Sequence, residues 1–263
     1  MSSELIQVQV VDGVAVLTLN NPPMNVVTVE LTHQMNAVLD RIACDSQVIA
    51  LVLSGANPAA RVFCAGSDIK EFPDYMSPGS VLEKKLVFEN RTYDKLEDFP
   101  KPTIAAVNGL AYGGGLELAV ACDIIIAADN ARLALPEIKL GIFPATGGTY
   151  RVPRRIGAAR AKIMMFTGEP IDANTAREWG LIEQAVPAQD VLETAMALAR
   201  TIAKGPANSL KLCKQAIDES LKTDREEATR QMLALSDQAF CSDECREGVR
   251  AFLSKESPRF PRG

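Results

Sequence analysis

The stretch KPTIAAVNGLAYGGGLELAVACDIIIAAD, from Lys101 to Asp129, decides how the chain is read. Two short apolar runs, TIAAVNG at 103–109 and CDIIIAAD at 122–129, flank three consecutive glycines and a segment with helical character. Runs this short and this apolar read as strands covered on both faces, as in parallel sheets. A third run, VIALVLSG at 48–55, has the same character. Strands separated by helical or loop segments make a layered α/β core of repeated units. One residue stands apart: Glu117 lies among small and apolar neighbours directly after Gly113, Gly114 and Gly115. An unpaired carboxylate in such surroundings is disfavoured by several kcal/mol, of order ~5, so it has to be paired, hydrogen-bonded or protonated.

Toward the N-terminus, residues 5–20 alternate apolar and polar around Asp12-Gly13, a two-residue hairpin signal. Asn20-Asn21-Pro22-Pro23 ends the second strand. From Thr28 to about Cys44, Leu31, Met35, Val38, Leu39 and Ile42 recur at helical spacing, with Thr28 as the N-cap. His33, the only histidine, falls about 200° round the helix from Leu31 and points to solvent. Beyond Pro153 helical patterns take over. Asp172 caps ANTAREWG, and Val191, Leu192, Ala195, Leu198, Ala199 and Ile202 make one apolar stripe before Gly205-Pro206. From Ala207 onward only helical patterns occur, carried by Leu210, Cys213, Ile217, Leu221, Met232, Leu235, Val249, Phe252 and Leu253. The expected division is an α/β core over 1–200 and a helical region over 201–263 that packs against a neighbouring subunit.

A chain of 263 residues removes roughly 70–75% of its unfolded surface from water and needs no disulfide staples. Its net charge of -5 leaves no basic field to attract nucleic acid or an anionic membrane. The six cysteines, at 44, 64, 122, 213, 241 and 245, follow no framework spacing, and MSSELIQVQV lacks the basic and apolar regions of a signal peptide. A reduced, cytoplasmic setting is expected. Cys241-x-x-x-Cys245 is far from the histidine, so no metal site is expected. The apolar segment from Thr103 to Ala128 is interrupted by Asn108, the glycines, Glu117 and Asp123, which suits a buried core better than a membrane span.

A single solvent-facing histidine excludes a histidine-based nucleophile system. The glycine run lacks the Lys-Ser/Thr of a P-loop, and no G-x-G-x-x-G opens a helix after a strand. What remains is a pair of junctions rich in small residues. FCAGSDIKEF (63–72) puts Gly66 and Ser67 after an apolar strand end, and NGLAYGGGLELA (108–119) puts three glycines at a helix start. Backbone N–H groups there have no intrahelical partner, and two such junctions can hold one oxyanion between them. A third segment, LALPEIKLGIFPATGGTYRV (133–152), closes a short strand with Pro136-Glu137. Glu117 and Glu137 are then two carboxylates at the edges of apolar elements, a pairing that can divide acid and base roles. The competing structural reading has Glu117 satisfying an N–H at its own helix start and Glu137 in an exposed ion pair.

Taken in order, FCAGSDIKE, KPTIAAVNGLAYGGGLELAVACDIIIAAD, LALPEIKLGIFPATGG and TGEPIDANTAREWGLIEQAVP resemble the enoyl-CoA hydratase/isomerase, or crotonase, family, from NNPPMN at 20–25 to EGVRAFLSKESPRF at 247–260. The resemblance implies an α/β fold, a crotonase-like spiral of repeated ββα units with a C-terminal helical trimerisation region. It implies that the backbone N–H groups of Ser67 and Gly114 hold a thioester oxygen. Glu117 would orient and deprotonate water, and Glu137 would deliver a proton to the α-carbon. Contacts to the acyl-CoA substrate are expected at Asn25, Val26, Ala65, Asp68, Ile69, Lys70, Tyr112, Gly115 and Pro136, with Phe252 and Lys255 near the nucleotide from a neighbouring subunit. Coenzyme A enters as part of the substrate, with no metal or redox cofactor, in a homotrimer or dimer of trimers.

Some positions depart from the family pattern. Leu116 stands where hydratases often have Cys or another small residue, Ser67 replaces the commoner Ala, and PATGG replaces PGAGG. Tyr112 and Phe143 can also reshape the acyl pocket, which leaves the acyl chain open. The expected reaction is hydration of a 2-enoyl-CoA to a 3-hydroxyacyl-CoA. The alternatives are Δ3,Δ2-enoyl-CoA isomerisation or another acyl-CoA lyase reaction of the family. A non-catalytic CoA-ester-binding protein would be marked by loss of a glutamate or of the glycine turn, and an RNA-binding relative by a basic stripe.

Overall fold

Asp12 and Gly13 both have left-handed backbone, with φ of 53° and 79°, the conformation that a two-residue hairpin needs. They join β1 (Ile6–Val11) to β2 (Val14–Leu19) as an antiparallel pair. The computed structural model describes residues 4–56 and 61–261. Helix α1 (Val29–Ala43) follows, and its N-cap is Thr28, whose hydroxyl accepts from the Leu31 N–H. Leu31, Met35, Leu39 and Ile42 are buried on one face, while His33 is exposed and stacks on Phe88 with ring centroids 4.3 Å apart.

A strand-strand-helix unit then repeats. β3 (Ala50–Gly55) leads to β4 (Val62–Cys64) and, after a loop, to α2 (Val87–Glu97). β5 (Thr103–Val107) leads to β6 (Leu110–Tyr112) and α3 (Gly114–Val120). β7 (Ile124–Ala128) leads to β8 (Arg132–Ala134) and α4 (Gly148–Ile156). The first strand of each unit joins one sheet and the second joins another. With β9 (Ile171–Asp172) and β10 (Gln184–Val186), the orders are β1-β2-β3-β5-β7-β10 and β4-β6-β8-β9. From β2 to β10 the larger sheet is parallel. Its central strands are buried along almost their whole length, and each large apolar side chain so enclosed contributes about 1.5–3 kcal/mol.

After α5 (Ala158–Thr167), α6 (Ala173–Trp179) starts at the expected Asp172 cap, whose carboxylate accepts from the Thr175 N–H at 2.8 Å. Helix α7 (Val191–Ala203) packs across β2, β3, β5 and β7. Its buried face is Val191, Ala195, Met196, Ala199 and Ala203, whereas Leu192 is exposed. Of the expected stripe, Val191, Ala195 and Ala199 are buried and Leu198 and Ile202 are half-buried against the core, so Leu192 alone falls outside it. The division at 200/201 falls inside this helix. Three short strands, β6, β9 and β10, escape the sequence reading because two or three residues carry too little alternation. The C-terminal helices α8 (Ala207–Ser220), α9 (Arg225–Phe240) and α10 (Asp243–Ser254) leave Ile217, Leu221, Phe240, Val249, Phe252 and Leu253 exposed.

Helix α3 lies directly on β4. A Cβ at Gly115 would stand 2.3 Å from the Cys64 carbonyl oxygen, and neither backbone can yield without moving an element. Gly115→Ala is therefore expected to lower stability by more than about 2 kcal/mol, measured by urea denaturation. A variant as stable as the parent would contradict this contact.

Candidate active site

The two glycine junctions meet. After β4, Gly66 has φ of 91°, and Val27 and Ser67 form a parallel bridge in which Val27 N–H donates to Gly66 O and Asp68 N–H to Val27 O. After β6, Gly113 has φ of 53° and donates to Ala134 O at 2.9 Å. A Cβ at Gly114 would lie 3.7 Å from the Ser67 nitrogen, and one at Gly66 3.3 Å from the Gly114 nitrogen. Neither the Ser67 nor the Gly114 N–H donates to an acceptor among the described residues. Both border a cavity of about 800 Å³ whose walls include Val26, Ile69, Phe72, Met76, Leu86 and Phe143.

Glu117 and Glu137 border the same cavity. Glu117 is 2% exposed and does not cap its own helix. Its Oε1 accepts from Thr146 N–H at 2.9 Å and Gly148 N–H at 2.8 Å, and its Oε2 accepts from the Thr146 hydroxyl. Burial pushes its carboxyl above the ordinary range, while these donors and Arg151 pull it down. Glu137 makes no ion pair among the described residues, and its Oε2 is buried without a hydrogen-bond partner. Burial, and then the neighbouring Glu117, push it up to about 7. A Cβ at Gly113 would stand 2.9 Å from Glu137 Oε1, and one at Gly148 2.9 Å from Glu117 Oε1. The glycines therefore make room for both carboxylates.

The turn that serves Glu117 is itself held from two sides. Asn90 Nδ2 donates to Ala145 O at 2.9 Å and Arg151 Nη1 to Thr146 O at 2.8 Å. Arg151 is anchored by Asp94 and Glu97. On the α2 side Tyr93 donates to Gly114 O at 3.0 Å. Lys85, in a wide π-type turn at Leu82–Leu86, borders the cavity, with its Nζ 3.2 Å from Glu89 Oε2 and 3.6 Å from Glu71 Oε2. Lys85 and Glu89 are 4% and 1% exposed. Burial raises Glu89 to about 7, against the pull of Lys85. Sequence reasoning missed this cluster. The available signal was the spacing Lys85, Glu89, Tyr93, one helix face in steps of four.

Of the residues expected from the resemblance, Val26, Ala65, Ser67, Ile69, Gly114, Glu117, Pro136 and Glu137 border the cavity. Asn25 does not: buried with φ of 50°, it donates to Phe63 O at 3.1 Å and ties its turn to β4. Asp68 accepts from Lys70 N–H at 3.0 Å, and Lys70 is exposed. Tyr112 is half-buried in β6, and Gly115 faces β4. Phe252 and Lys255 are exposed at the end of α10 and do not border the cavity within one chain.

The pattern of the enoyl-CoA hydratase/isomerase family matches residues 9–262. The chain is 36% identical over 244 residues to the short-chain-enoyl-CoA hydratase of Clostridium acetobutylicum, covering 92% of each. It is 36% identical over 248 residues to the 2,3-dehydroadipyl-CoA hydratase of Escherichia coli, covering 94% of each. Its fold superimposes on the crystal structure of an enoyl-CoA hydratase from Bacillus anthracis with a TM-score of 0.93 at 33% identity, over 99% of this chain and 100% of that one. The chain belongs to the enoyl-CoA hydratase/isomerase family, and its spiral of ββα units is the crotonase fold. No helix among the described residues is long and apolar enough to cross a membrane.

The raised Glu89 carboxyl has a consequence for stability. Between its ordinary 4.5 and about 7, the unfolded chain has released a proton that the folded chain retains, so this contribution to stability falls as pH rises through that window. Glu89→Gln removes it. Between pH 5 and 8 the stability difference is expected to shift in the variant's favour by about 1–3 kcal/mol, read from urea unfolding. A pH-independent difference would show that Glu89 titrates normally.

Proposed function

We propose that this protein is an enoyl-CoA hydratase, adding water to a 2-enoyl-CoA to give a 3-hydroxyacyl-CoA. The observation that carries this reading is the presence of two carboxylates, Glu117 and Glu137, on the cavity that the free Ser67 and Gly114 N–H groups also face. The thioester oxygen accepts from those two N–H groups, which stabilise it as it gains enolate charge. One such donor is worth about 10²–10³ in rate in other enzymes. Water oxygen bonds to C3 while its proton passes to Glu117, and C2 takes the proton of neutral Glu137. The cycle closes when the proton on Glu117 returns to Glu137 through solvent.

Environment assigns the roles. Three donors favour ionised Glu117, which suits a base. A group raised to about 7 with an unpartnered oxygen suits an acid that holds its proton near neutral pH. Isomerisation of a 3-enoyl-CoA needs only one proton-shuttling carboxylate, so a second one held by three hydrogen bonds favours hydration. The largely apolar wall suits a hydrocarbon acyl group. The two hydratases named above carry different acyl groups in their names, short-chain enoyl and 2,3-dehydroadipyl. The coenzyme A chain would leave past Ala65–Lys70. The exposed apolar side chains of α8 to α10 support a trimer or dimer of trimers, in which Phe252 and Lys255 reach a neighbour's nucleotide. Six free cysteines suit a cytoplasmic setting.

Crotonyl-, longer 2-enoyl- and 3-enoyl-CoA substrates, followed by the absorbance of the conjugated thioester, test the reading. Loss of the 2-enoyl signal is hydration, and its appearance from a 3-enoyl substrate is isomerisation. Glu117→Gln and Glu137→Gln are each expected to cut hydration by about 10²–10⁴-fold. Unchanged activity in Glu117→Gln would exclude the hydratase assignment.

A further inference from the structure

Three donors meet the Glu117 carboxylate, and two of them are backbone N–H groups, of Thr146 and Gly148. The third is the hydroxyl of Thr146, which supplies the hydrogen bond received by Oε2. Thr146 is 3% exposed and borders the cavity. It stands in PATGG at 144–148, and among the described residues its hydroxyl is the only side-chain donor to this carboxylate. Its carbonyl oxygen accepts from Arg151, which is itself ion-paired with Asp94 and Glu97.

We propose that Thr146 is a positioning residue of the hydration step, whose hydroxyl fixes the Glu117 carboxylate in one orientation and keeps it available as the base. Oε1 is occupied by two N–H groups, so the carboxylate would otherwise be held at one oxygen only, free to turn about that anchor. With Oε2 bound to Thr146 the carboxylate plane is set, and the lone pair left over on Oε2 defines where water must stand to lose its proton. A carboxylate keeps its proton off more readily when donors face it, and the side-chain donor is the strongest of those that oppose the effect of burial here. The other charged and titratable groups around Glu117 are Glu137 on the same cavity, Arg151 behind the turn, and Glu89 and Tyr93 on α2 with Lys85 paired to Glu89. Removing the hydroxyl takes away none of these groups, and Glu137, Glu89 and Tyr93 feel it only through the charge on Glu117.

The inference rests on the hydratase reading, and the test separates the two. Thr146→Val keeps the side chain's size and removes the donor, and Thr146→Ser keeps the donor. With the best enoyl-CoA substrate of the wild-type panel, Thr146→Val is expected to lose roughly 10–100-fold in kcat with KM little changed, and to move the acidic limb of the kcat/KM profile up by about one pH unit or more. Thr146→Ser is expected to restore both to within about threefold. The same upward movement should appear without substrate in the carboxyl ¹³C titration of Glu117, assigned by comparison with Glu117→Gln. If the wild type hydrates nothing, the functional reading fails, and the substrate-free titration still decides the hydrogen bond. If the wild type hydrates and folded Thr146→Val keeps its pH profile and its Glu117 titration, or if Thr146→Ser is as impaired as Thr146→Val, the role given to the hydroxyl is wrong.

Discussion

The burial of Glu117 is the constraint around which the molecule is arranged. Its carboxylate sits in α3, a short helix whose residues are all enclosed, and none of its three donors comes from that helix. They come from a turn about thirty positions further along, the Thr146 N–H being 29 residues away. That turn keeps its place because Asn90 and Arg151 hold its carbonyl groups, and Arg151 in turn spans to Asp94 and Glu97. Helices α2, α3 and α4 thus meet at one carboxylate. An ionised group left there with fewer partners would be strongly destabilising, since an uncompensated buried charge costs several kcal/mol.

A second constraint is the closeness of backbones. The Ser67 and Gly114 N–H groups face one cavity only because α3 rests on β4 with Gly115 against the Cys64 carbonyl. The repeated unit, one strand into each sheet and then a helix, brings successive strand ends to the same side. Glu117, Glu137 and both N–H groups therefore arrive from three consecutive units. Two chemically identical carboxyls then behave differently. Burial raises both, but three donors oppose it at Glu117, whereas Glu137 has an oxygen with none and is raised to about 7. The Lys85–Glu89 pair beside them adds a buried cation and a carboxyl that is itself raised to about 7.

Much of the fold was legible because its signals are local. The Asp12-Gly13 hairpin, the Thr28 and Asp172 caps and the three apolar strands each depend on a few adjacent residues, and each appears where expected. In α7 the expected stripe meets the core except at Leu192, since periodicity places a face but not the edge of its contact with the sheet. The competing accounts of Glu117 and Glu137 failed for a similar reason. Glu117 finds its donors in a distant turn rather than in its own helix, and Glu137 lines a cavity rather than joining a surface ion pair.

Sequence alone determined the class of fold, the family, and the two glutamates and two glycine junctions in question, because these are carried by motifs of fixed spacing. Only the tertiary structure decided that Asn25 clamps a strand instead of bordering the cavity, that Lys85 and Glu89 are buried beside it, and that a threonine hydroxyl completes the shell of Glu117. The physical reason is that burial and hydrogen bonding depend on which segments meet. Those meetings join residues about thirty to sixty positions apart, beyond the reach of any local pattern.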